Sequence, residues 1–307
     1  MASPLGPLRL IVNPRAGGRT RKHVVPTLRA GLSERGIAHD VVETAGPADA
    51  AELARAAVDE GLRYLVAVGG DGTLHGLLNG VFDGQAPRAD GIVVGVVPTG
   101  SGSDFARTVG LHTRPELAAG HLASDATMPV DVGVASYTDA NGQPATRLFL
   151  NLAEVGYGAE VVRLAQRLPR ALGRVRYLLA AWGGIRAVRR QPARVELAHA
   201  GSDLELVELV VANGQFFGGG MRVAPRALPD DGRFNVLAFT GDRGQVFRLT
   251  TQMFQGRHLP DPHIREWQSP HVTITAEQGL RVEADGEPLG TTPASFRLLP
   301  RALTVKI

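Results

Sequence analysis

Val66-Ala-Val-Gly-Gly-Asp-Gly-Thr-Leu-His75 places three glycines and one aspartate directly after an apolar run. Residues 64 to 68 form a short apolar segment rich in β-forming side chains, which is typical of a buried strand. Leucine and valine then recur at helical spacing from Leu74 to Val81. The sequence therefore predicts a turn over residues 69 to 73 that connects a buried strand to a helix.

The composition of this turn indicates a phosphate-binding site. Its glycines let backbone N–H groups approach an anion, and the N-terminus of the next helix adds partial positive charge. Asp71 would repel phosphate unless Mg²⁺ or a ribose hydroxyl lay between them, and a nucleotide bound with its metal ion supplies both. The alternative is an ordinary turn in which Asp71 caps the helix.

Similar units lie on both sides of the turn. Residues 8 to 12 are predicted as a strand that leads through a glycine-containing loop to a helix, and a second strand and helix follow before residue 60. Another buried strand, residues 91 to 97, ends in a loop rich in glycine and serine. Three loops thus lie at the carboxyl ends of strands, where open parallel sheets bind ligands. They are residues 13 to 18, 69 to 73 and 99 to 104.

The second half of the chain has a different pattern. Short apolar runs alternate with turn residues, including an Asn141-Gly142 hairpin signal, which predicts a mostly antiparallel β-sandwich with one strand over residues 204 to 212. A basic helical insert, residues 160 to 192, interrupts these strands. The predicted fold is an α/β domain with a parallel sheet, residues 1 to 133, followed by a β-sandwich domain, residues 134 to 307.

Length and composition favour a two-domain cytoplasmic protein. The chain has 307 residues, of which 44% are hydrophobic, and the absence of cysteine excludes disulfides and thiolate metal sites. No apolar run approaches the roughly 20 residues needed to span a bilayer, and the N-terminus lacks a signal-peptide pattern.

The segment between Glu160 and Glu196 contains no acidic residue, while its arginines alternate with leucine, tryptophan and isoleucine. A basic amphipathic segment of this kind attracts anionic lipid surfaces, which predicts a peripheral contact with a membrane. The alternative is helices that pack their apolar side chains on the sandwich with the arginines in solvent, and the two interpretations are compatible. No nucleic-acid-binding module accompanies the charge. An exposed strand edge leaves a homodimer open.

Two groups of carboxylates in the second half are candidates for chemistry. Asp230-Asp231-Gly232 fits a loop that holds a hard cation through oxygen ligands, and it fits a plain turn equally well. Asp285-Gly286 is a strong hairpin signal. In a phosphoryl transfer to an alcohol, a carboxylate near the hydroxyl accepts its proton, which makes Asp285 the candidate base and lets Glu287 orient it or the substrate.

Together these residues resemble the diacylglycerol kinase catalytic-domain family. The likeness is greatest to its soluble bacterial lipid kinases, which are also similar to sphingosine kinases. It covers nearly the whole chain, because the motifs occur in the order seen in the family. They are Asn13-Pro-Arg-Ala-Gly-Gly18, Gly69-Gly-Asp-Gly-Thr73, Pro98 to Arg107, Asp131, Ala224 to Gly232 and Ala284-Asp-Gly-Glu287.

The resemblance implies an ATP-binding α/β domain, a C-terminal β-sandwich and an active site in the cleft between them, with Asp285 as the general base. Near the phosphates it implies a network of Mg²⁺, water and the acidic residues Asp71, Asp104 and Asp131. It also implies a structural Mg²⁺ held by the Asp231 side chain and by the carbonyls of Leu228 and Arg233. The residues implied to contact ATP are Asn13, Gly17, Thr44, Gly69, Gly70, Asp71, Gly72, Thr73, Leu74, His75 and Ser101.

The expected activity is an ATP- and Mg²⁺-dependent transfer of the γ-phosphate to the hydroxyl of diacylglycerol or a related lipid, giving a phosphatidic acid-type product. Two motifs depart from the family. The usual Gly-Thr-Gly-Asn-Asp-Phe is Gly100-Ser-Gly-Ser-Asp-Phe105 here, and the common Asn-Glu after Gly-Gly-Asp-Gly-Thr-x is His75-Gly76. These departures motivate one alternative, a catalytically weak lipid- or nucleotide-binding regulator. The other alternative is a NAD kinase-like small-molecule kinase, which shares the glycine-rich turn but gives no reason for Asn13-Pro14.

Overall fold

The computed structural model describes residues 5–16, 23–46, 48–100, 102–111, 114–169, 172, 175–185 and 188–307. The chain divides into two compact units. Unit 1 comprises Met1–Val130 and Arg301–Ile307, and unit 2 comprises Asp131–Pro300. The sequence predicted one boundary near residue 133 and placed the whole remainder of the chain in the second domain. In the structure the last seven residues belong with unit 1.

Unit 1 is a parallel sheet with helices between its strands. The strands pair in the order β6-β3-β1-β2, and all of these pairs are parallel. Every residue of β3 and β6 is buried, as expected for a parallel sheet covered on both faces. The elements are β1 (Leu8–Val12), α1 (Val25–Glu34), β2 (His39–Glu43), α2 (Asp49–Asp59), β3 (Tyr64–Gly69), α3 (Asp71–Val81), β4 (Phe82–Asp83), β5 (Ala86–Pro87), β6 (Val93–Pro98), α4 (Asp104–Thr108) and α5 (Pro115–Ala123).

The end of the chain completes unit 1. Thr304 and Val305 pair in parallel with Val93 and Val94 of β6. The Lys306 side chain is fully buried, and its Nζ donates hydrogen bonds to Ser124 Oγ at 2.7 Å and to the Ala126 carbonyl at 2.6 Å. This pairing and the buried ammonium group hold the last residues in unit 1.

Unit 2 is built from antiparallel strands and three helices in the described part of the chain. One set of strands pairs in the order β14-β13-β12-β9-β16-β17, while β10 pairs with β11 and β15, and β7 pairs with β8. The elements are β7 (Thr127–Thr138), β8 (Pro144–Phe149), β9 (Leu152–Gly156), α6 (Tyr157–Arg167), α7 (Val175–Gly184), β10 (Gln191–Leu197), β11 (Gly201–Leu206), β12 (Glu208–Ala212), β13 (Phe234–Phe239), α8 (Arg243–Met253), β14 (Ile264–Ser269), β15 (His271–Ala276), β16 (Arg281–Ala284) and β17 (Glu287–Lys306).

The core of unit 2 lies between its strands. Phe149 stacks on Phe234 with ring centroids 5.7 Å apart, and it meets Phe296 edge-on at 6.4 Å. Alternating residues of β9, β12, β13 and β15 to β17 complete this core, which is the inward-facing pattern of a sandwich. The predicted fold class, an α/β domain followed by a β-sandwich, is confirmed.

Three details of unit 2 differ from the sequence prediction. The strand expected over residues 204 to 212 is two strands, β11 and β12, with Val207 between them. Helix α8 and strand β14 were not predicted. Helix α8 begins with a capping box, in which Asp242 and Gln245 each accept a hydrogen bond from the other's backbone N–H. The Asp-x-x-Gln spacing at residues 242 to 245 was the signal that could have predicted it.

Candidate active site

The predicted phosphate-binding loops meet at one edge of the sheet in unit 1. The backbone N–H of Asn13 donates to the Val68 carbonyl at 2.9 Å, that of Thr44 donates to Val12 at 2.9 Å, and that of Thr99 donates to Gly69 at 2.8 Å. These bonds join the carboxyl ends of the four strands β6, β3, β1 and β2. The loops therefore converge as their common position on a parallel sheet predicts.

Backbone contact between two of these loops requires glycine. A Cβ atom added at Gly100 would lie 2.5 Å from the Cα of Gly70, and one at Gly69 would lie 2.2 Å from Thr73 Oγ1. Thr73 is buried, and its hydroxyl lies 3.4 Å from Asn13 Nδ2. The two loops are thus packed against each other at glycines, where a side chain would have no room.

Substituting Gly100 by alanine is expected to weaken ATP binding about tenfold, which corresponds to about 1.4 kcal/mol. The added methyl group collides with the Gly70 backbone and separates the two loops. Isothermal titration with ATP measures the effect. Gly120→Ala is the matched control, since the nearest atom to its new Cβ is Arg35 Nη2 at 3.8 Å. Equal affinities for the two variants would contradict a nucleotide site at these loops.

Asp71 connects two helix N-termini. Helix α3 begins at Asp71, with Gly70 as its N-cap and no side-chain capping bond. Instead, Asp71 Oδ1 accepts hydrogen bonds from the backbone N–H groups of Asp104 at 2.8 Å and Phe105 at 3.2 Å, in the first turn of α4. A Cβ at Gly102 would lie 2.6 Å from Asp71 Oδ2. Asp71 is thus the first residue of α3 and not its N-cap, and its side chain holds the N-terminus of α4.

The remaining residues predicted to contact ATP differ in exposure. Thr44, Leu74 and His75 are buried, and the N–H groups of Thr44 and Leu74 donate to the carbonyls of Val12 and Gly70. Asp104 is also buried, and its Oδ1 lies 3.4 Å from Arg107 Nη1. Gly17 and Ser101 lie outside the described residues.

In unit 2, the carboxylate of Asp285 is held by three backbone N–H groups. Its Oδ2 accepts from Leu150 at 2.8 Å, and its Oδ1 accepts from Asn151 at 2.9 Å and from Leu152 at 3.2 Å. Asp285 and Gly286 form the two-residue turn between β16 and β17, with φ of 51° and 86°. The hairpin interpretation and a defined carboxylate position are thus both realised at Asp285. Glu287 follows on the exposed side of the turn.

Asn213, which is not among the predicted site residues, links this carboxylate to the predicted metal loop. Its Nδ2 donates to the carbonyl of Leu150 at 2.8 Å and to that of Asp131 at 3.0 Å. Asp131 Oδ2 in turn accepts from the N–H of Gly232 at 2.7 Å. A buried asparagine at the end of an apolar strand and before a glycine was the available signal.

The loop with Leu228, Asp231 and Arg233 forms an oxygen-rich turn. Asp231 Oδ1 accepts from the N–H of Arg233 at 3.0 Å. Partial burial raises the pKa of Asp231, and the neighbouring carboxylates Asp131 and Asp230 raise it further. Excess negative charge and oxygen donors fit a hard cation such as Mg²⁺. Among the described residues, no group of three or more His, Asp or Glu side chains is arranged to hold a metal ion, so the carbonyls of Leu228 and Arg233 would have to contribute.

Three glutamates lie together beneath the Asp285 turn. Glu283 of β16 and Glu154 of β9 are paired across the sheet and buried, and Glu154 hydrogen-bonds to Glu208 of β12. Glu283 Oε2 accepts from the N–H of Gly286 at 2.7 Å. Burial and the neighbouring carboxylates raise the pKa of Glu154 and Glu283 well above the ordinary value, and burial raises the pKa of Glu208 to about 7. The group therefore holds protons at neutral pH.

This group predicts a stability that falls as pH rises from about 5 to about 8. In the unfolded chain a glutamate releases its proton near pH 4.5, whereas folded Glu208 keeps it until about pH 7, so the folded state binds more protons across that window. Glu208→Gln should remove the part of this dependence that comes from Glu208 and gain up to about 3 kcal/mol on wild type between pH 5 and 8. The free energy of unfolding of both proteins, obtained from urea titrations at pH 5 and pH 8, measures this difference.

Comparison of Glu208→Gln with wild type separates the contribution of Glu208 from that of groups whose titration has the opposite effect on stability. Burial lowers the pKa of His258, which makes stability rise with pH in the same range in both proteins. A constant difference between Glu208→Gln and wild type at every pH would contradict a shared proton in this group.

Comparison with known proteins places the chain in a family. Residues 7–135 match the diacylglycerol kinase catalytic domain, and residues 151–307 match the YegS C-terminal NAD kinase beta sandwich-like domain. A diacylglycerol kinase of Mycobacterium tuberculosis (strain ATCC 25618 / H37Rv) is 30% identical over 308 residues, covering 98% of this chain and 95% of its own. The chain belongs to the diacylglycerol kinase catalytic-domain family. The resemblance found in the sequence motifs is confirmed.

Two further similar proteins support the assignment of the chain to this family. A diacylglycerol kinase of Bacillus subtilis (strain 168) is 27% identical over 303 residues, covering 97% of this chain and 95% of its own. A crystal structure from Bacillus anthracis str. Sterne matches with a TM-score of 0.78 at 23% identity, covering 98% of this chain and 97% of that chain. The structural match shows a shared fold. The sequence matches show that the protein is a lipid kinase of this family.

Proposed function

We propose that this protein transfers the γ-phosphate of ATP to the hydroxyl of diacylglycerol or a closely related lipid, with Mg²⁺ and at a membrane surface. The observation that carries the proposal is the carboxylate of Asp285, which three backbone N–H groups hold in one orientation on a tight turn. In a family of lipid kinases, a carboxylate fixed in this way suits a base that receives a proton from an alcohol.

Unit 1 supports the ATP part of the proposal. Its glycine-rich loops bring backbone N–H groups and the N-terminus of α3 to one edge of the sheet. Such donors balance the charge that spreads over the phosphate oxygens during transfer. Asp71 and Asp104 supply carboxylates at the same edge, and bound Mg²⁺ would supply the positive charge between them and the phosphates.

The proposed reaction is a single displacement. The lipid hydroxyl oxygen forms a bond to the γ-phosphorus while the bond from that phosphorus to the β-phosphate oxygen breaks, and ADP leaves. The hydroxyl proton passes to Asp285. The product from diacylglycerol is phosphatidic acid.

The departures from the family motifs have a structural explanation that is compatible with activity. A Cβ at Gly76 would lie 2.8 Å from the Cβ of Ala50, so glycine allows α3 to pack closely on α2 and a glutamate side chain has no room. Ser103 has a left-handed backbone with φ of 55°, a conformation in which the family's usual asparagine is well tolerated. Gly76 is a packing residue, and Ser103 retains the backbone geometry of the loop.

Transfer of radiolabelled γ-phosphate into a panel of acceptors tests the proposal. The panel contains diacylglycerol, monoacylglycerol, phosphatidylglycerol and a sphingoid base in mixed micelles, and NAD in solution, each with Mg²⁺ and with EDTA. Label in diacylglycerol or a related lipid, dependent on Mg²⁺, is expected. Label in NAD alone would favour a small-molecule kinase. Bound ATP without any labelled acceptor would favour the regulator and overturn the proposal.

A further inference from the structure

Helix α7 presents a row of apolar side chains to solvent. Val175, Leu179 and Trp182 are 52%, 45% and 53% exposed, and Leu172 just before the helix is 37% exposed. The spacing of four and three residues places Val175, Leu179 and Trp182 on one side of the helix. An apolar row exposed to this extent is unusual on a helix that could instead turn the row toward the core.

Helix α8 extends this row from a distant part of the sequence. Its Phe247 is 44% exposed, and Phe254, directly after the helix, is 50% exposed. The rings of Phe247 and Trp182 are in contact, with centroids 5.9 Å apart. We call the six exposed apolar side chains on and beside these two helices the docking face: Leu172, Val175, Leu179, Trp182, Phe247 and Phe254.

The docking face is anchored from beneath. Val246 of α8, Val188 after α7 and Tyr157 of α6 form a small buried core with Val161 and Ile185. Tyr157 also donates its hydroxyl hydrogen to the Ala181 carbonyl at 2.5 Å, and Arg243 Nε donates to the Val188 carbonyl at 3.2 Å. The two helices are therefore held side by side while their aromatic rings remain in solvent.

The charge around the docking face identifies its partner. Residues 161 to 195 contain nine arginines and no acidic residue, and residues 243 to 260 contain three arginines and no acidic residue. Three of these arginines form ion pairs with acidic residues outside the two segments: Arg163 with Glu160, Arg194 with Glu196 and Asp203, and Arg248 with Asp261. Arg167, Arg189 and Arg190 are exposed. Positive charge beside exposed aromatic and aliphatic side chains is complementary to the anionic head groups and acyl chains of a bilayer. A second copy of the chain would bring the same positive charge against it.

We propose that the docking face inserts into the surface of an anionic lipid bilayer, with Trp182 and Phe247 at the level of the head groups and acyl chains. None of the helices in the described part of the chain is long and apolar enough to cross a membrane. The inference rests on the proposed function, since a kinase whose acceptor lies in a bilayer requires a surface that holds it there.

Co-sedimentation with vesicles of equal parts phosphatidylglycerol and phosphatidylcholine tests the docking face. The double variant Trp182→Ser, Phe247→Ser should partition into vesicles at least about tenfold less than wild type, because two aromatic side chains no longer leave water. Leu117→Ser is the matched control, since Leu117 is 50% exposed on α5 of unit 1. Wild-type binding by the double variant, or equal loss in the control, would overturn the proposal.

Tryptophan fluorescence provides a second readout that leaves the docking face itself unchanged. The chain has two tryptophans, so Trp267→Phe leaves Trp182 as the only one. On addition of vesicles its emission should shift to the blue and be quenched by brominated acyl chains. Unchanged emission would overturn the proposal, as would sedimentation equilibrium in which Trp182 and Phe247 are needed for a dimer and vesicles are not bound.

Activity assays separate this proposal from the proposed function. The double variant should keep wild-type turnover of a water-soluble short-chain diacylglycerol and lose turnover of diacylglycerol in vesicles. If no lipid is phosphorylated while vesicle binding still depends on Trp182 and Phe247, the proposed function is contradicted and the proposal for the docking face is supported. If wild type and the double variant phosphorylate diacylglycerol in vesicles equally, the proposal for the docking face is contradicted and the proposed function is supported.

Discussion

Asp285→Asn is expected to lower the turnover of lipid phosphorylation by about 10²- to 10⁴-fold, the range attributed to a general base. The amide cannot accept the hydroxyl proton. Affinity for ATP should stay close to the wild-type value, because the predicted nucleotide-binding residues lie in unit 1. Steady-state kinetics with a saturating lipid in mixed micelles, together with calorimetric titration of ATP, measures the two quantities.

The same substitution also has a structural effect that must be measured separately. The amide nitrogen of the new asparagine would face one of the three N–H groups that the carboxylate accepts, which leaves a partly buried donor unsatisfied at a cost of about 1–3 kcal/mol. A protein with ordinary stability of about 5–15 kcal/mol remains folded at 25 °C after such a loss. Thermal unfolding of the variant gives the actual loss.

Asp139→Asn is the matched control for Asp285→Asn. Asp139 Oδ1 accepts from the N–H groups of Asn141 and Gln143, both at 2.8 Å, in an exposed turn of unit 2. Its substitution disturbs a carboxylate turn without touching the candidate base. Turnover of Asp139→Asn should match wild type. Wild-type turnover by Asp285→Asn as well would leave Asp285 a purely structural residue.

Local patterns were sufficient to predict the framework of this protein. The strand, turn and helix around Gly69 follow from an apolar run, three glycines and a helical repeat that are adjacent in the sequence. The parallel arrangement then places the predicted loops at one edge without further information, because parallel strands share their direction. Asp285 was predictable for the same reason, as the hairpin signal and the carboxylate are in one dipeptide.

Features that depend on pairing between distant strands were not predictable. The buried glutamates come from β9, β12 and β16, and only the register between these strands places Glu154 opposite Glu283. Asn213 likewise acquires its role because Leu150 and Asp131 lie within reach of its amide. The docking face requires α8 beside α7, and α8 was not among the predicted helices. In each case the residue type was visible in the sequence, but its neighbours were not.

Asp71→Asn is expected to lower phosphoryl transfer by about 10²- to 10³-fold and to remove most of its dependence on Mg²⁺. Asparagine can still accept both hydrogen bonds from α4 through Oδ1, so the loop geometry is retained. The negative charge is lost. Because that charge repels phosphate when no metal ion is present, ATP binding measured in EDTA should become about threefold tighter than in wild type.

Asp71→Ala separates the charge from the hydrogen bonds. It removes both, so it should lower the unfolding temperature of unit 1, whereas Asp71→Asn should leave that temperature near the wild-type value. If Asp71 acted only by holding the N–H groups of Asp104 and Phe105, Asp71→Asn would keep wild-type activity and the same Mg²⁺ dependence. Tighter ATP binding in EDTA is the signature of a carboxylate that faces phosphate through a cation, since loss of a hydrogen bond would not strengthen binding.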